Sequence, residues 1–345
     1  MKGHLKVVAL VRDIGAGNVI APVADVLRQR GHSVRLFAEA DGQAAKRPQP
    51  VPFETLTAKD ELEQIVAVER PDIVIAGLSS PRHLEEDLDR IAVARNIPLV
   101  HIEDYWGAHV RSPFAADVVI TIDAAAAELV RAARPNSRIV LAGFSGITKM
   151  APSQSIADKF AALRQRTGLK YIVYPDGGEE CDPALRILVE SIQRSRIGFV
   201  LIPKIHPKFK DVLTPNSHET WGQWCRRELA PLRNRGMVLE CEEPVDELVL
   251  AADATASCYS TTLLRAAAAG KGALTLSTPV IKRLLLRETG LSRTPLMMRG
   301  GFPILERAMR LDVLLAPPHP RLEIEPFDPI RAADAVEGIA EKLAA

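Results

Sequence analysis

The fold is decided by the stretch LKVVALVRDIGAGNVIAPVADVL (5–27). Its first seven residues form an apolar run of the kind that parallel strands show when helices cover both faces of their sheet. A turn with Asp13, Gly15 and Gly17 follows, and from about residue 18 to residue 31 the apolar spacing predicts an amphipathic helix. Strand, turn and helix in this order form the repeating unit of a doubly wound α/β sheet.

The same alternation continues along the chain and is interrupted once. Before the interruption, apolar runs predict strands at 33–40, 72–78, 98–103, 117–123 and 138–144, with helices at about 58–70, 82–96 and 124–134. The polar stretch ITKMAPSQS (147–155) and a charged helix at about 155–167 break the pattern. After them, strands are predicted at 171–175, 198–204, 237–242, 254–258 and 272–277, and helices at about 183–195, 219–229, 245–252, 260–270 and 279–289. We therefore expect an α/β fold of two doubly wound domains, 1–147 and 168–327, with a linker and connecting helix at 148–167 and a closing helix at 328–345.

Charge and cysteine usage exclude several classes of protein. Lys and Arg total 44 against 43 Asp and Glu, so the net charge of +1 supplies no field that would gather nucleic acid. Four widely spaced cysteines argue against structural zinc and against a disulfide framework. The apolar run at the N-terminus is shorter than a signal peptide, and no stretch of about 18 apolar residues is present to span a bilayer. We expect a soluble, cytoplasmic protein without a nucleic-acid partner or an integral membrane segment, and a homodimer stays open.

The first candidate site follows the first predicted strand. Ligands of doubly wound sheets bind outside the carboxyl ends of the strands, so the residues after each strand are the ones to consider. Here the glycine amides and the start of a helix would suit an anion, although neither G-x-G-x-x-G nor a P-loop is present. The candidate ligands are Asp13, Gly15, Gly17 and Asn18. A tight strand–helix turn without a ligand is the alternative.

A second candidate site is the segment HIEDYW (101–106), at the exit of a predicted central strand. Strand alternation places His101 and Glu103 on one side, with Asp104 opposite them or already in the loop. A carboxylate at this position could act as a general base or hold sugar hydroxyls. The alternative is a surface turn with a buried Trp106.

Two candidate phosphate sites lie in the second predicted domain. In IPKIHPKFK (202–210), Lys204 and His206 share a strand face and could stabilise a departing diphosphate, unless His206 is structural. In ATASCYSTT (254–262), hydroxyl groups and helix amides together could bind phosphate without a metal. Helix capping requires only one of these hydroxyl groups and does not explain the others. The candidate phosphate ligands here are Ser257, Ser260, Thr261 and Thr262, with the backbone of Gly177 and Gly178 in DGGEE (176–180) as further donors.

Together, these motifs resemble the GT-B superfamily, which comprises nucleotide-sugar glycosyltransferases and the related UDP-N-acetylglucosamine 2-epimerases. RDIGAGNVIAPVADVL is similar to the first strand–helix turn of the epimerases. HIED looks like their His-x-Glu segment, which implies that Glu103 is the active-site carboxylate. The resemblance implies two Rossmann-like domains facing each other across a cleft.

The other two similar segments lie in the second half. KIHPKFKD resembles the His-Pro segment of the epimerases, of polymer-forming phosphotransferases and of polysialyltransferases, which implies that His206 contacts the leaving group. SCYSTTLLRAAAAGKGAL is similar to the superfamily's nucleotide-binding strand–helix unit, which implies phosphate contacts for Ser260 and Thr261.

The chain departs from the family pattern at two places. Where the epimerases have Gly-Asp-Thr, this chain reads Gly77-Leu78-Ser79, so one acid of the epimerase pair is missing. Where the superfamily tends to place an acidic residue that holds the ribose, the chain has Arg265, which cannot accept those hydrogen bonds and could meet an additional phosphate. Glycosyl transfer is therefore favoured over epimerisation.

The expected function is metal-independent transfer of a sugar from a nucleotide-activated donor, a nucleoside diphosphate sugar, to a hydroxyl acceptor. Glu103 or Asp104 would deprotonate the acceptor, with Glu103 the better base if it shares the face of His101. No cofactor is expected beside the substrate. The alternatives are a sugar-nucleotide 2-epimerase or hydrolase with altered acids, and a non-catalytic binding protein on a GT-B scaffold.

Overall fold

A computed structural model of the protein describes residues 4–46, 52–147, 150–176, 182–206, 209, 211–214 and 218–343. The chain divides into two units, each built around its own sheet. The first unit comprises Met1–Ser145, Glu288–Gly290 and Ile324–Ala345, and the second comprises Gly146–Arg287 and Leu291–Glu323.

The sheet of the first unit is parallel throughout its described strands. In chain order its elements are β1 (Lys6–Val11), α1 (Ile14–Gln29), β2 (Ser33–Glu39), β3 (Glu54–Leu56), α2 (Lys59–Glu69), β4 (Ile73–Ala76), α3 (Leu84–Ala94), β5 (Leu99–Ile102), β6 (Val118–Thr121), α4 (Ala124–Ala133) and β7 (Arg138–Leu141). Short 3₁₀ turns cover Ala108–Arg111 and Ser145–Ile147. The strand order is β3-β2-β1-β4-β5-β6-β7.

The second unit has a smaller parallel sheet in the order β12-β11-β10-β8-β9. Its first elements are α5 (Gln154–Thr167), β8 (Lys170–Asp176), α6 (Asp182–Arg194), β9 (Phe199–Ile205), α7 (Trp221–Glu228), α8 (Ala230–Arg233) and α9 (Val245–Ala251). They are followed by β10 (Ala254–Ser257), α10 (Thr261–Ala268), β11 (Gly272–Leu276), α11 (Pro279–Thr289), α12 (Pro295–Arg299), β12 (Ile304–Leu305) and α13 (Leu311–Leu314). The last helix, α14 (Pro329–Leu343), returns to the first unit.

Strand β1 shows why the apolar runs form buried parallel strands. Its side chains alternate between two cores: Val7 and Ala9 pack with α1 and α14, whereas Val8 and Leu10 pack with α2 and α3. Burying a Val or Leu side chain contributes about 1.5–3 kcal/mol, so a strand with both faces covered is strongly favoured at this position. This burial explains why the run is apolar throughout rather than alternating.

These two parallel sheets confirm the predicted α/β class, but three predicted details are wrong or incomplete. The predicted strand 237–242 is not a strand: Val238 makes only an isolated bridge to Leu201, and the exposed Glu240 and Glu242 keep this segment at the surface. Strands β3 and β12 were not predicted, because three and two residues are too few to show a pattern. Helix α1 begins at Ile14 rather than near residue 18, so Gly15 and Asn18 are helical. No helix among the described residues has the length and apolar character that crossing a membrane requires.

The strand orders indicate where each unit offers a crevice. In the first sheet the order reverses between β1 and β4, and in the second between β8 and β10. At such a switch point the loops after the two strands diverge to opposite faces, which opens a crevice at the carboxyl edge. The loops of interest are therefore 12–13 and 77–83 in the first unit and 258–260 in the second.

Candidate functional site

Asp13 joins the loops after β1 and β4. Its backbone N–H donates to the hydroxyl of Ser79 (3.0 Å), and its Oδ2 accepts a hydrogen bond from the backbone N–H of Ser80 (3.1 Å). Asp13 also precedes α1 as its N-cap residue, yet its side chain makes no capping hydrogen bond. The carboxylate is therefore used to join the two loops across the switch point.

Asp104 reaches the first turn of α1. A Cβ on Gly15 would lie 1.8 Å from Oδ2 of Asp104, so the carboxylate occupies the space that the missing side chain leaves. Backbone N–H groups at the start of a helix are not used within the helix, and they favour a negative charge nearby. The glycine predicted to face a ligand thus faces a carboxylate of the protein itself.

Asp104 is partly exposed, and no other described residue donates a hydrogen bond to its carboxylate. Partial removal of water from the Asp104 carboxylate raises its pKa; the positive charge of Arg111 opposes this, and the negative charges of Asp13 and Glu103 add to it. A partly exposed carboxylate with a raised pKa can accept a proton from a bound hydroxyl group, which is the property of a general base.

Glu103 has a different environment from Asp104. Glu103 directly follows strand β5, and its backbone N–H still donates to the carbonyl of Ile120 in β6 (2.9 Å). Its Oε1 accepts hydrogen bonds from the backbone N–H (2.9 Å) and from Nδ1 (2.8 Å) of His109, and its Oε2 accepts one from the hydroxyl of Thr121 (2.5 Å). Glu103 is 1% exposed. Its carboxylate therefore holds the loop 103–109 in place and has little capacity left for a substrate.

The contact between His109 and Glu103 is not predicted from the sequence. His109 follows Glu103 by six residues in a 3₁₀ turn, a spacing that belongs to no regular element, so the sequence carries no signal of this contact.

His101 belongs to a buried charged network behind the sheet edge. Its Nε2 lies 3.1 Å from both carboxylate oxygens of Asp89, which also binds Arg82 (2.7 Å) and the hydroxyl of Ser112 (2.6 Å). Burial alone would raise the pKa of Asp89, but His101 and Arg82 lower it below the usual value. His101 is 1% exposed, so the structure surrounds this candidate ligand with protein.

A cluster of possible metal ligands lies beside the same loops. Glu39, Asp41 and His83 place ligand atoms within 4.8 Å of one another. The guanidinium of Arg12 binds Glu39 (3.1 Å) and Asp41 (2.9 Å). Arg12 thus already supplies the positive charge that a bound cation would bring to these carboxylates.

In the second unit, Lys204 and His206 lie at the carboxyl end of β9. Lys204 Nζ donates to the carbonyl of Cys241 (3.0 Å), which fixes the ammonium group near this edge. His206 is exposed, and its ring centroid lies 5.9 Å from that of Phe209. Both side chains are cations or potential cations at one strand end, as the sequence predicts, and their phosphate-binding role stays a prediction.

The hydroxyl groups around β10 and α10 fall into separate roles. Ser260 caps α10, since its Oγ accepts the backbone N–H of Thr262 (3.3 Å) and lies 2.8 Å from the Thr262 hydroxyl. Ser257 is buried and donates weakly to the carbonyl of Pro175 (3.5 Å). Thr261, the first residue of α10, is exposed. Capping therefore explains Ser260, and Thr261 is the hydroxyl that a ligand could reach.

Arg265 is already engaged within the second unit. Its Nε donates to the carbonyl of Gly146, and its guanidinium forms an ion pair with Asp246 of α9. Its side chain is 11% exposed, which leaves little of it for the additional phosphate that the sequence suggested. Gly177 and Gly178 lie outside the described residues.

The structure thus brings Asp13, Gly15 and Asp104 together in the first unit. In the second unit, strands β9 and β10 lie on either side of β8. Lys204 and His206 lie at the carboxyl end of β9, and Ser260 and Thr261 follow β10. Glu103 and His101 are close in sequence to Asp104 and are occupied by other partners.

Comparison with known proteins bears on the fold. No family model matches the chain, and no curated protein matches it. Among solved structures, a putative UDP-N-acetylglucosamine 2-epimerase from Listeria monocytogenes is similar, with a TM-score of 0.59, 13% identity and coverage of 90% of this chain and 86% of that one. HepE from Anabaena in complex with UDP-glucose gives a TM-score of 0.55 at 14% identity, covering 90% of this chain and 88% of that one. MurG from Acinetobacter baumannii gives 0.54 at 14% identity with the same coverages, 90% and 88%. At these identities the likeness establishes architecture, and the chain has the GT-B fold that its sequence predicts.

Proposed function

We propose that the protein is a glycosyltransferase that moves a sugar from a nucleoside diphosphate donor to a hydroxyl acceptor, with Asp104 as the general base. The observation that carries the proposal is the Asp104 carboxylate: it is partly exposed, has a raised pKa and lies at the carboxyl end of a central strand. In this reaction the acceptor oxygen forms a bond to the anomeric carbon as the bond from that carbon to the diphosphate breaks. The acceptor proton passes to Asp104.

Asp104 suits this role better than Glu103. A general base needs a lone pair that can reach the acceptor hydroxyl and a pKa raised towards the working pH. Three donor groups from His109 and Thr121 already occupy the carboxylate oxygens of Glu103, which leaves them little room for an acceptor hydroxyl. The neighbouring negative charge of Asp13 raises the pKa of Asp104, because it makes the protonated form more favourable.

The donor would be held by the second unit. The N-terminus of α10 with the exposed Thr261 favours an anion, and Lys204 and His206 would add positive charge where the diphosphate departs. Helix amides and cationic side chains can stabilise such a leaving group, so we propose that no metal is required. The complex of HepE with UDP-glucose supports a nucleotide-sugar donor for a chain of this fold.

The residues of the loop after β4 support glycosyl transfer over the 2-epimerase alternative. That chemistry would need a second acid in the loop after β4, where this chain has Leu78 and Ser79. The hydroxyl of Ser79 is buried between the backbone of Asp13 and the carboxylate of Glu85, so it is not presented to a ligand.

The test is a panel of UDP, GDP and their common sugar derivatives, assayed for binding by thermal shift and for turnover with simple hydroxyl acceptors. We expect one nucleotide to bind and its sugar derivative to be consumed. Asp104→Asn should retain nucleotide binding and lower turnover about 10²–10⁴-fold, which is the usual contribution of a general base. The matched control is Asp25→Asn on α1, which removes a carboxylate that, among the described residues, bonds only Gln29 (2.8 Å) and should leave turnover unchanged.

Two results would contradict the proposal. Full activity of Asp104→Asn would exclude Asp104 as the base. Tight nucleotide binding by the wild type without any turnover would favour the alternative of a non-catalytic binding protein.

A further inference from the structure

Glu85, the second residue of α3, is a fully buried carboxylate that ties two loops together. Its Oε1 accepts hydrogen bonds from the backbone N–H of Arg12 (3.0 Å) and the hydroxyl of Ser79 (2.8 Å), and its Oε2 accepts one from the backbone N–H of Ser79 (2.9 Å). A Cβ on Gly77 would lie 2.2 Å from Oε1, so only glycine at position 77 leaves room for this carboxylate. One side chain therefore links the loop after β1 to the loop after β4.

Ser79 passes this constraint on to Asp13. While its hydroxyl donates to Glu85, its Oγ accepts the backbone N–H of Asp13 (3.0 Å). The neighbouring N–H of Ser80 then donates to the Asp13 carboxylate (3.1 Å). Both the backbone and the side chain of Asp13 thus depend on the loop that Glu85 holds.

The charges around Glu85 make this arrangement costly. Burial raises the pKa of Glu85 to about 7, although Arg82 Nε lies 3.8 Å from its Oε2. A second buried carboxylate, Glu39, accepts the backbone N–H of Glu85 (3.3 Å) and opposes its ionisation further. A buried carboxylate costs several kcal/mol of solvation, and the converging donors of Arg12 and Ser79 offset part of that cost. Any replacement that loses these acceptors leaves buried N–H groups without partners.

We propose that Glu85 is a positioning residue that holds the Asp13 carboxylate beside Asp104, so that the negative charge of Asp13 acts on the base. This inference rests on the proposed function only in treating Asp104 as that base. Glu85 itself is fully buried and does not touch substrate; it acts through Ser79 and Asp13.

The test measures the pKa of the Asp104 carboxyl by NMR in protein labelled with ¹³C at aspartate, with Asp104→Asn and Asp13→Asn used to assign the signals. Glu85→Gln replaces one acceptor oxygen by an NH₂ group that faces the donors of Arg12 or Ser79, which should separate the loops. The Asp104 pKa should then fall towards its ordinary value. Glu86→Gln is the matched control, because Glu86 is the next residue of α3 and, in the part of the chain that the structure describes, its side chain pairs only with the exposed Arg90 (2.9 Å).

A second variant guards against misfolding. Ser79→Ala removes the link from Glu85 to Asp13 and leaves Glu85 its bond from Arg12, so it should also lower the Asp104 pKa. If Asp104 titrates as in the wild type in folded Ser79→Ala and Glu85→Gln, the positioning role is overturned.

The titration is independent of turnover, so the two proposals can fail separately. If the wild type transfers no sugar, but the Asp104 pKa is lower in Glu85→Gln and Ser79→Ala than in the wild type, the proposed function ends and the positioning role stays in place. In an active enzyme, the acid limb of the pH–rate profile should move to lower pH in Glu85→Gln and stay in place in Glu86→Gln.

Discussion

Gly15 and Asp104 are in direct contact: a Cβ on Gly15 would lie 1.8 Å from the Asp104 Oδ2. The two residues belong to α1 and to the loop after β5, and 89 positions separate them in the sequence. Their contact places the Asp104 carboxylate against the first turn of α1.

Gly15→Ala should destabilise the wild type, because the new methyl group must displace the Asp104 carboxylate. In an Asp104→Ala background the same substitution should be neutral or should stabilise by up to about 1 kcal/mol, since alanine is the better helix former. Chemical denaturation of the four proteins in this double-mutant cycle measures the coupling. Equal effects of Gly15→Ala in both backgrounds would show that the two residues do not interact.

The free energy of unfolding should depend on the ionisation of Glu85. Its pKa in the folded protein is about 7, above the ordinary value of 4.5, so the folded state binds this proton more tightly than the unfolded chain does. The stability that protonated Glu85 contributes to the folded state is therefore present in full below pH 4.5 and is lost as the pH rises through 7. Relative to Glu85→Gln, the wild type should lose about 3 kcal/mol between these limits. Urea titrations of both proteins across this range test the sign, and parallel pH profiles would be incompatible with a raised pKa.

Glu103→Gln should mainly lower the folding stability, whereas Asp104→Asn should mainly lower turnover. Glu103→Gln sets an NH₂ group against the donors of His109 or Thr121 and should cost about 1–3 kcal/mol of folding free energy. Asp104→Asn breaks no hydrogen bond to another described residue and should change stability far less. Denaturation midpoints and turnover, measured on the same preparations, distinguish the two residues. A Glu103→Gln protein of wild-type stability and no activity would restore Glu103 as the base.

His206→Ala should weaken nucleotide binding by about 1–3 kcal/mol, the usual range for a charge-assisted hydrogen bond. Because His206 is exposed, its loss should leave the melting temperature without ligand almost unchanged. Lys204→Ala should weaken binding by a similar amount and also lower stability slightly, as the bond to the Cys241 carbonyl is lost. Calorimetric titration with the nucleotide measures both variants. Wild-type affinity in both would remove this strand end from the phosphate site.

The end of β5 shows why the position of a carboxylate does not decide its role. Alternation along a strand running to residue 103 places Glu103 beside His101 and makes it the favoured base. Glu103 does continue the pairing with β6, because its backbone N–H donates to the carbonyl of Ile120 (2.9 Å), but its carboxylate is occupied by His109 and Thr121. These partners come from other elements of the fold and are not visible in a local sequence pattern.

The sequence by itself determined the alternation of strands and helices, the two parallel sheets and the loops in which charged residues would meet. These follow from local apolar runs, because a strand buried on both faces must be apolar along its whole length. Only the tertiary structure decided which carboxylates are free and which are occupied. Asp104 meets Gly15, Glu103 meets Thr121, and Glu85 meets Arg12 across long sequence separations. Hydrogen bonds and charge interactions depend on distances in space, and the packing of the sheet and its helices sets those distances.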